Sequence, residues 1–155
     1  MGLKSLFSKC FGSLFSNAEV SEQVSEKVQT DSFVLAGKTR LGMLYVDIDK
    51  AGIVQKGGQY YLTVYAKEKY TDMAFLRTIR KKKALKNVTS AVYLYLFDNQ
   101  CSSYSIAANY LVDDEGAICL DCGSNMQMKE VAADNTALLN AYTLCLKALE
   151  LKANE

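Results

Sequence analysis

Apolar positions change their spacing twice along this chain. Leu3, Leu6, Phe7, Cys10, Phe11, Leu14 and Phe15 recur at i, i+3, i+4 and i+7. Lys4, Ser5, Ser8, Lys9, Gly12, Ser13 and Ser16 fill most of the remaining arc. That spacing predicts a short amphipathic helix over residues 1–16. Residues 17–32 are mostly Ser, Glu, Gln, Asp and Thr, with Val20, Val24 and Val28 four apart. They read as a polar linker, with some helix allowed, leading to a domain over 33–155.

Past Ser32 the pattern becomes that of strands. Nine of the ten tyrosines lie between Tyr45 and Tyr110, and aromatic residues favour a pleated, half-buried surface. Strands are expected at Phe33–Ala36 and Met43–Ile48. Gly57-Gly58 between apolar runs marks a hairpin. Tyr60, Leu62, Val64 and Ala66 then share one face of a strand, with Thr63, Tyr65 and Lys67 on the other. Asp72 is placed to cap a helical stretch reaching Lys86, striped by Met73, Leu76 and Ile79 or by Phe75 and Ile79. Val92–Phe97 is apolar on both faces, as a central strand is. Tyr104, Ile106, Ala108, Tyr110 and Val112 alternate and are assigned to one face of the next strand. Asp113-Asp114-Glu115-Gly116 is a turn sequence, and Ala117–Leu120 returns as its partner. Residues 135–152 read as a helix capped by Asp134 or Asn135, burying Leu138, Leu139, Tyr142, Cys145, Leu146 and Leu149. The expected architecture is α+β: an antiparallel meander of about six strands, an inserted short helix, and a C-terminal helix packed on one face.

Charge is nearly balanced over the whole chain, at +1, so no global field draws in a polyanion. Locally it separates. Residues 67–87 hold eight Lys and Arg against Glu68 and Asp72, whereas 88–135 hold Lys129 against seven acids. The two stretches are expected to neighbour each other. The chain has no His, Pro or Trp. Without His, Ser-His and Cys-His nucleophile pairs are excluded within this chain, and the usual base near neutral pH is missing. A non-enzymatic protein without a cofactor is expected.

Cys119 and Cys122 have C-x-x-C spacing. Redox pairs of this type work at a helix N-terminus, and Gly123-Ser124-Asn125 is turn material. Together with Cys101 and Cys145 they offer four thiolates for zinc, without the paired knuckles of a usual site. A cytoplasmic zinc or thiol protein is the alternative reading. Arg77, Arg80, Lys81, Lys82, Lys83 and Lys86 form a basic run. It lacks the interleaved aromatics that nucleic-acid binding wants, and polybasic segments suit anionic lipid. A solvated helix face meeting Asp113–Glu115 is the plainer explanation of the run. The acidic turn needs no chemistry beyond a hairpin, and Asp47 and Asp49, flanking Ile48 on one strand face, fit an edge strand rather than a carboxylate pair.

The opening helix breaks its apolar run at Ser8, Lys9, Gly12 and Ser13, which fits neither a secretory signal nor a spanning helix. Gly2 does not satisfy a myristoylation motif, because position 6 is Leu. Leu3, Leu6, Phe7, Phe11, Leu14 and Phe15 fit an interfacial helix in the headgroup layer, and packing on the domain or on another copy is the competing use.

Several short features taken in order resemble the bacterial surface-adhesin protein E family. They are Tyr45-Val46-Asp47, Ile53, Gly57-Gly58, the strand Leu62–Lys67, Asn99-Gln100-Cys101, the strand through Tyr104 to Tyr110, Asp114-Glu115-Gly116, Val131 and Cys145. The resemblance covers roughly 33–149. It implies a twisted antiparallel sheet with a C-terminal helix fixed by a disulfide, which Cys101 and Cys145 would supply. It also implies adhesion to a host or extracellular macromolecule, at the cell surface or in the periplasm. Tyr65 and Met128 stand where family members tend to carry Trp. The combined expectation is an adhesin-like binding module held at an anionic membrane surface by its first 16 residues, with no nucleic-acid partner and no small-molecule substrate.

Overall fold

The computed structural model of the chain describes residues 32–154. The expected amphipathic helix, with Leu3, Leu6, Phe7, Phe11, Leu14 and Phe15, and nearly all of the linker therefore lie outside the described residues.

Eight strands form one antiparallel sheet: β1 Phe33–Lys38, β2 Gly42–Asp47, β3 Gly52–Lys56, β4 Gln59–Tyr70, β5 Val88–Phe97, β6 Ser103–Asp113, β7 Ile118–Asp121 and β8 Asn125–Glu130. Two helices complete it, α1 Met73–Ile79 and α2 Thr136–Ala153. The sheet runs β1-β2-β4-β5-β6-β7, with β3 also on β4 and β8 also on β6. The six-strand meander is thus the main path. The two added strands exist because β4 and β6 are long, at 12 and 11 residues. Near one end of β4, Val46 pairs with Ala66, and near the other Ile53 pairs with Leu62. β2 and β3 thus lie end to end, separated by the 3-10 turn Ile48–Lys50. β7 and β8 divide β6 in the same way.

Local chemistry sets the boundaries. Gly57 and Gly58 adopt φ of 57° and 78°, the left-handed pair that a two-residue hairpin requires between β3 and β4. The Asp72 carboxylate accepts the Phe75 N–H at 3.0 Å and starts α1, a cap contributing about 1 kcal/mol. The helical stretch ends at Ile79, and a 3-10 turn at Lys83–Leu85 finishes the connection. Asn135 caps α2 by accepting the Leu138 N–H at 3.2 Å. Asp113 accepts the N–H groups of Glu115 and Ala117 in the β6–β7 turn.

The strand β6 departs from its expected alternation. Leu94 pairs with Ala108, but Tyr95 pairs with Ile106, leaving Ala107 in a β-bulge. The extra residue reverses the faces. Tyr104 and Ile106 pack with the α2-side core, while Ala108, Tyr110 and Val112 belong to a cluster with Tyr65, Val92 and Leu94 on the opposite face. The five residues do not share one face.

Three apolar clusters follow from this. The largest lies under α2, where Ala137, Leu138, Ala141, Tyr142, Cys145 and Leu149 meet Leu44, Val46, Ile53, Leu62, Val64 and Phe97. Leu139 and Leu146 are only partly buried. The second, on the opposite face, is the one just described. The third joins Tyr70, Leu76, Leu85, Val88 and Ala91 beneath α1 and its 3-10 turn. By strand alternation it lies on the α2 side. β5 is buried on both faces, as its sequence predicts.

Candidate functional site: a carboxylate-floored groove

A groove of about 890 Å³ opens on the α2 side of the sheet. Its walls are the β1–β2 turn (Gly37–Leu41), the start of α2 (Asn135–Leu138), and Leu44, Tyr95 and Tyr104 from the strands. Glu68 of β4 also lines it. Glu68 sits in register between Leu44 and Ala91, where an apolar residue would extend the core. It is only 9% exposed. A buried polar group on an apolar face is the informative exception.

Two neutral donors hold this carboxylate. The Thr39 hydroxyl donates to Oε2 and itself accepts the Gly42 N–H at 2.9 Å. The Tyr93 hydroxyl donates to Oε1 at 3.1 Å. Among the described residues no Lys or Arg pairs with it. Lys38 and Arg40 stand on the rim, exposed, as does Asp134. Burying a carboxylate without a countercharge costs stability unless hydrogen bonds offset it.

Aromatic rings pack around the carboxylate. Tyr93 stacks on Tyr95 with centroids 5.2 Å apart, and Tyr95 meets Tyr104 edge-on at 5.7 Å. Burial, and then the Glu68 charge, push the Tyr70 phenol up to about 12 and the Tyr93 and Tyr95 phenols higher still. These phenols stay protonated at neutral pH, and that of Tyr93 donates to Glu68. The Gly37 backbone lies so close to α2 that a Cβ there would meet the Ala137 Cα at 3.3 Å. The helix start and the β1–β2 turn are therefore fixed against each other.

The residues singled out from sequence fall elsewhere. Arg77, Lys81, Lys82, Lys83 and Lys86 are exposed on α1 and the segment that follows it. Arg80 turns inward, donating Nε and Nη2 to the Val88 carbonyl at 3.0 and 2.9 Å. Arg80 and Lys86 share a second cavity, of about 660 Å³, with Asp113, Asp114 and Glu115. The basic and acidic stretches do neighbour each other.

The bridge implied by resemblance is not formed: Cys101 and Cys145 are both free thiols. Cys101 lies in the β5–β6 turn, at φ 56°. Cys145 is fully buried on α2 one turn beyond Tyr142, whose hydroxyl donates to the Asn99 carbonyl at 3.1 Å. Burial raises the Cys101 thiol to about 11 and the Cys145 thiol to about 12, with Asp98 and Asp47 respectively adding to the effect.

Nor do the four cysteines converge for zinc. Cys101 packs beside the α2-side core that contains Cys145, Cys119 packs against the α1 cluster, and Cys122 is exposed. Among the described residues no group of three Cys, Asp or Glu is arranged to hold a metal. Asp47 and Asp49 do not share a strand face. Asp47 ends β2 and accepts from the Asp49 N–H at 3.1 Å and from the Ser32 hydroxyl at 2.7 Å.

Glu68 was not distinguishable in the sequence as a site residue. Its only signal is a charged residue at an inward position of the alternating strand, in phase with Leu62, Val64 and Ala66. Among the described residues no helix is long and apolar enough to cross a membrane. Compared with protein-family models, curated proteins and solved structures, the chain matches none.

Proposed function

We propose that this protein is a non-enzymatic binding module that associates with anionic membrane surfaces. The observation that carries the reading is the grouping of Arg77, Lys81, Lys82, Lys83 and Lys86, all exposed, at the α1 end of the domain. Met73, 54% exposed at the start of α1, adds an apolar contact. Each Lys or Arg close to an anionic bilayer contributes about 1 kcal/mol. The residues 1–16 supply the second attachment, since their Leu and Phe stripe fits the headgroup boundary. Two weak signals acting together give firmer attachment than either alone. Adhesion to an extracellular macromolecule belongs to the same reading through the protein E resemblance.

Flotation of the full chain with liposomes tests it. The protein should rise with vesicles containing phosphatidylserine and stay behind with neutral phosphatidylcholine vesicles. Replacing Lys81, Lys82 and Lys83 by Gln should cut the floated fraction severalfold, as should Phe7→Glu with Phe11→Glu. Equal flotation of all variants would remove both attachments from consideration.

A further inference from the structure

The groove beside α2 has a chemistry that membrane association does not use. We infer that it binds the primary ammonium group of an aliphatic amine, with Glu68 as its counterion. The inference is independent of attachment to lipid.

Three features specify the ligand. The first is charge. Glu68 supplies a buried negative charge at the floor, and among the described residues no cation neutralises it. A cationic group entering the groove would meet that charge away from water, where attraction is strongest. The second is hydrogen bonding. A carboxylate offers about four lone-pair positions, and Thr39 and Tyr93 occupy two of them. Both donors are neutral, so they orient the carboxylate without cancelling it. The remaining positions suit the N–H donors of a primary ammonium. The third is shape. Leu44, Leu138, Tyr95 and Tyr104 line the groove beside Glu68, so a ligand with a hydrocarbon stem can bury it there. A bare metal ion would leave those walls unused.

The rim narrows the class further. Lys38 and Arg40 are exposed at the mouth and outnumber the one acid there, Asp134. Their repulsion disfavours multivalent cations and is tolerable for a single charge screened by solvent. A monocation with an alkyl stem satisfies floor, walls and rim together. A free alkylamine and the side chain of a lysine carry this same group.

The test uses full-length protein and calorimetric or NMR titration with n-butylammonium, with n-butanol as its neutral counterpart. Butylammonium should bind saturably and shift the resonances of Glu68, Thr39 and Tyr104, whereas butanol should not. Glu68→Gln, which keeps the side-chain shape, should weaken binding about tenfold or more while leaving the circular dichroism spectrum unchanged. Lys38→Ala with Arg40→Ala lies outside the floor and should tighten binding about threefold. That double variant decides the matter if Glu68→Gln fails to fold. Nα-acetyl-lysine methylamide distinguishes the sources: binding comparable to butylammonium assigns the groove to lysine side chains, and its exclusion assigns it to free amines. Equal binding of butanol and butylammonium, unchanged affinity in Glu68→Gln, or weaker binding when the rim charges are removed would each overturn the inference.

Discussion

Single side chains in this protein differ sharply in what their surroundings allow. The cysteines are the clearest case. Cys145 is 0% exposed and its thiol is raised to about 12 by burial and by Asp47. Cys122 is exposed, and burial and Asp121 raise its thiol by a lesser amount. Reactivity follows the accessible thiolate. Brief alkylation of the native protein at pH 8, followed by mass spectrometry, should therefore modify Cys122 well before Cys145, which should label only after unfolding. Early labelling of Cys145 would mean that α2 opens far more readily than its packing allows. Glu68 shows how little a residue's identity reveals in isolation. In the sequence it is one of two acids within a basic stretch. Its burial depends on a turn 29 residues away that brings Thr39 to it, and on Tyr93 from the neighbouring strand.

At the scale of elements, the strands that can be read in advance are those whose burial is one-sided or complete. β4 keeps its alternation, β5 its unbroken apolar run, and α2 its stripe, because each follows one period from end to end. Capping at Asp72 and Asn135 and the glycine pair at 57–58 are equally legible, since a few adjacent residues decide them. Two features were hidden. β8 is Asn-Met-Gln-Met-Lys-Glu with every residue exposed, so it carries no burial pattern and exists only because β6 offers it a partner. The bulge at Ala107 is a mismatch between two strands, which neither strand shows alone. Deleting Ala107 should be tolerated, because Ile106 and Ala108 would then oppose Tyr95 and Leu94 in an unbroken ladder, with each half of β6 still on its native face. The expected result is a soluble variant with a native-like circular dichroism spectrum and cooperative unfolding. Loss of the native spectrum or of soluble protein would show that the fold needs the bulge itself. The groove was hidden for the same reason: its walls come from β1–β2, β4, β5, β6 and α2, and no local spacing anticipates their meeting.

For the molecule as a whole, buried ionisable groups set the pH range over which the fold holds. Folding raises Cys145 from 9.0 to about 12, Cys101 from 9.0 to about 11, and Tyr70 and Tyr142 from 10.0 to about 12. Each group binds its proton more tightly when folded. The stability this represents is fully present below the unfolded values and is lost as pH rises towards the folded ones. The urea midpoint should therefore hold up to about pH 9 on this account and fall steadily between 9 and 12. A midpoint that stays level across that interval would contradict the burial assigned to these side chains. Charge is organised at this scale too, with Arg80 and Lys86 of the α1 region beside the acids of the β6–β7 turn. Position in the sheet decides what each strand risks. β5 is sealed on both sides in the finished protein, and its ten residues, Val88 to Phe97, contain no charge. Before the sheet closes, that same run is an uncharged, tyrosine- and leucine-rich ribbon of the kind that pairs with copies of itself. Lys86 and Asp98 stand just outside its two ends, where a charge opposes stacking. The hazard of this chain therefore lies in its birth: a crowded pool of newly made or refolding molecules is where the central strand is most exposed to its own kind.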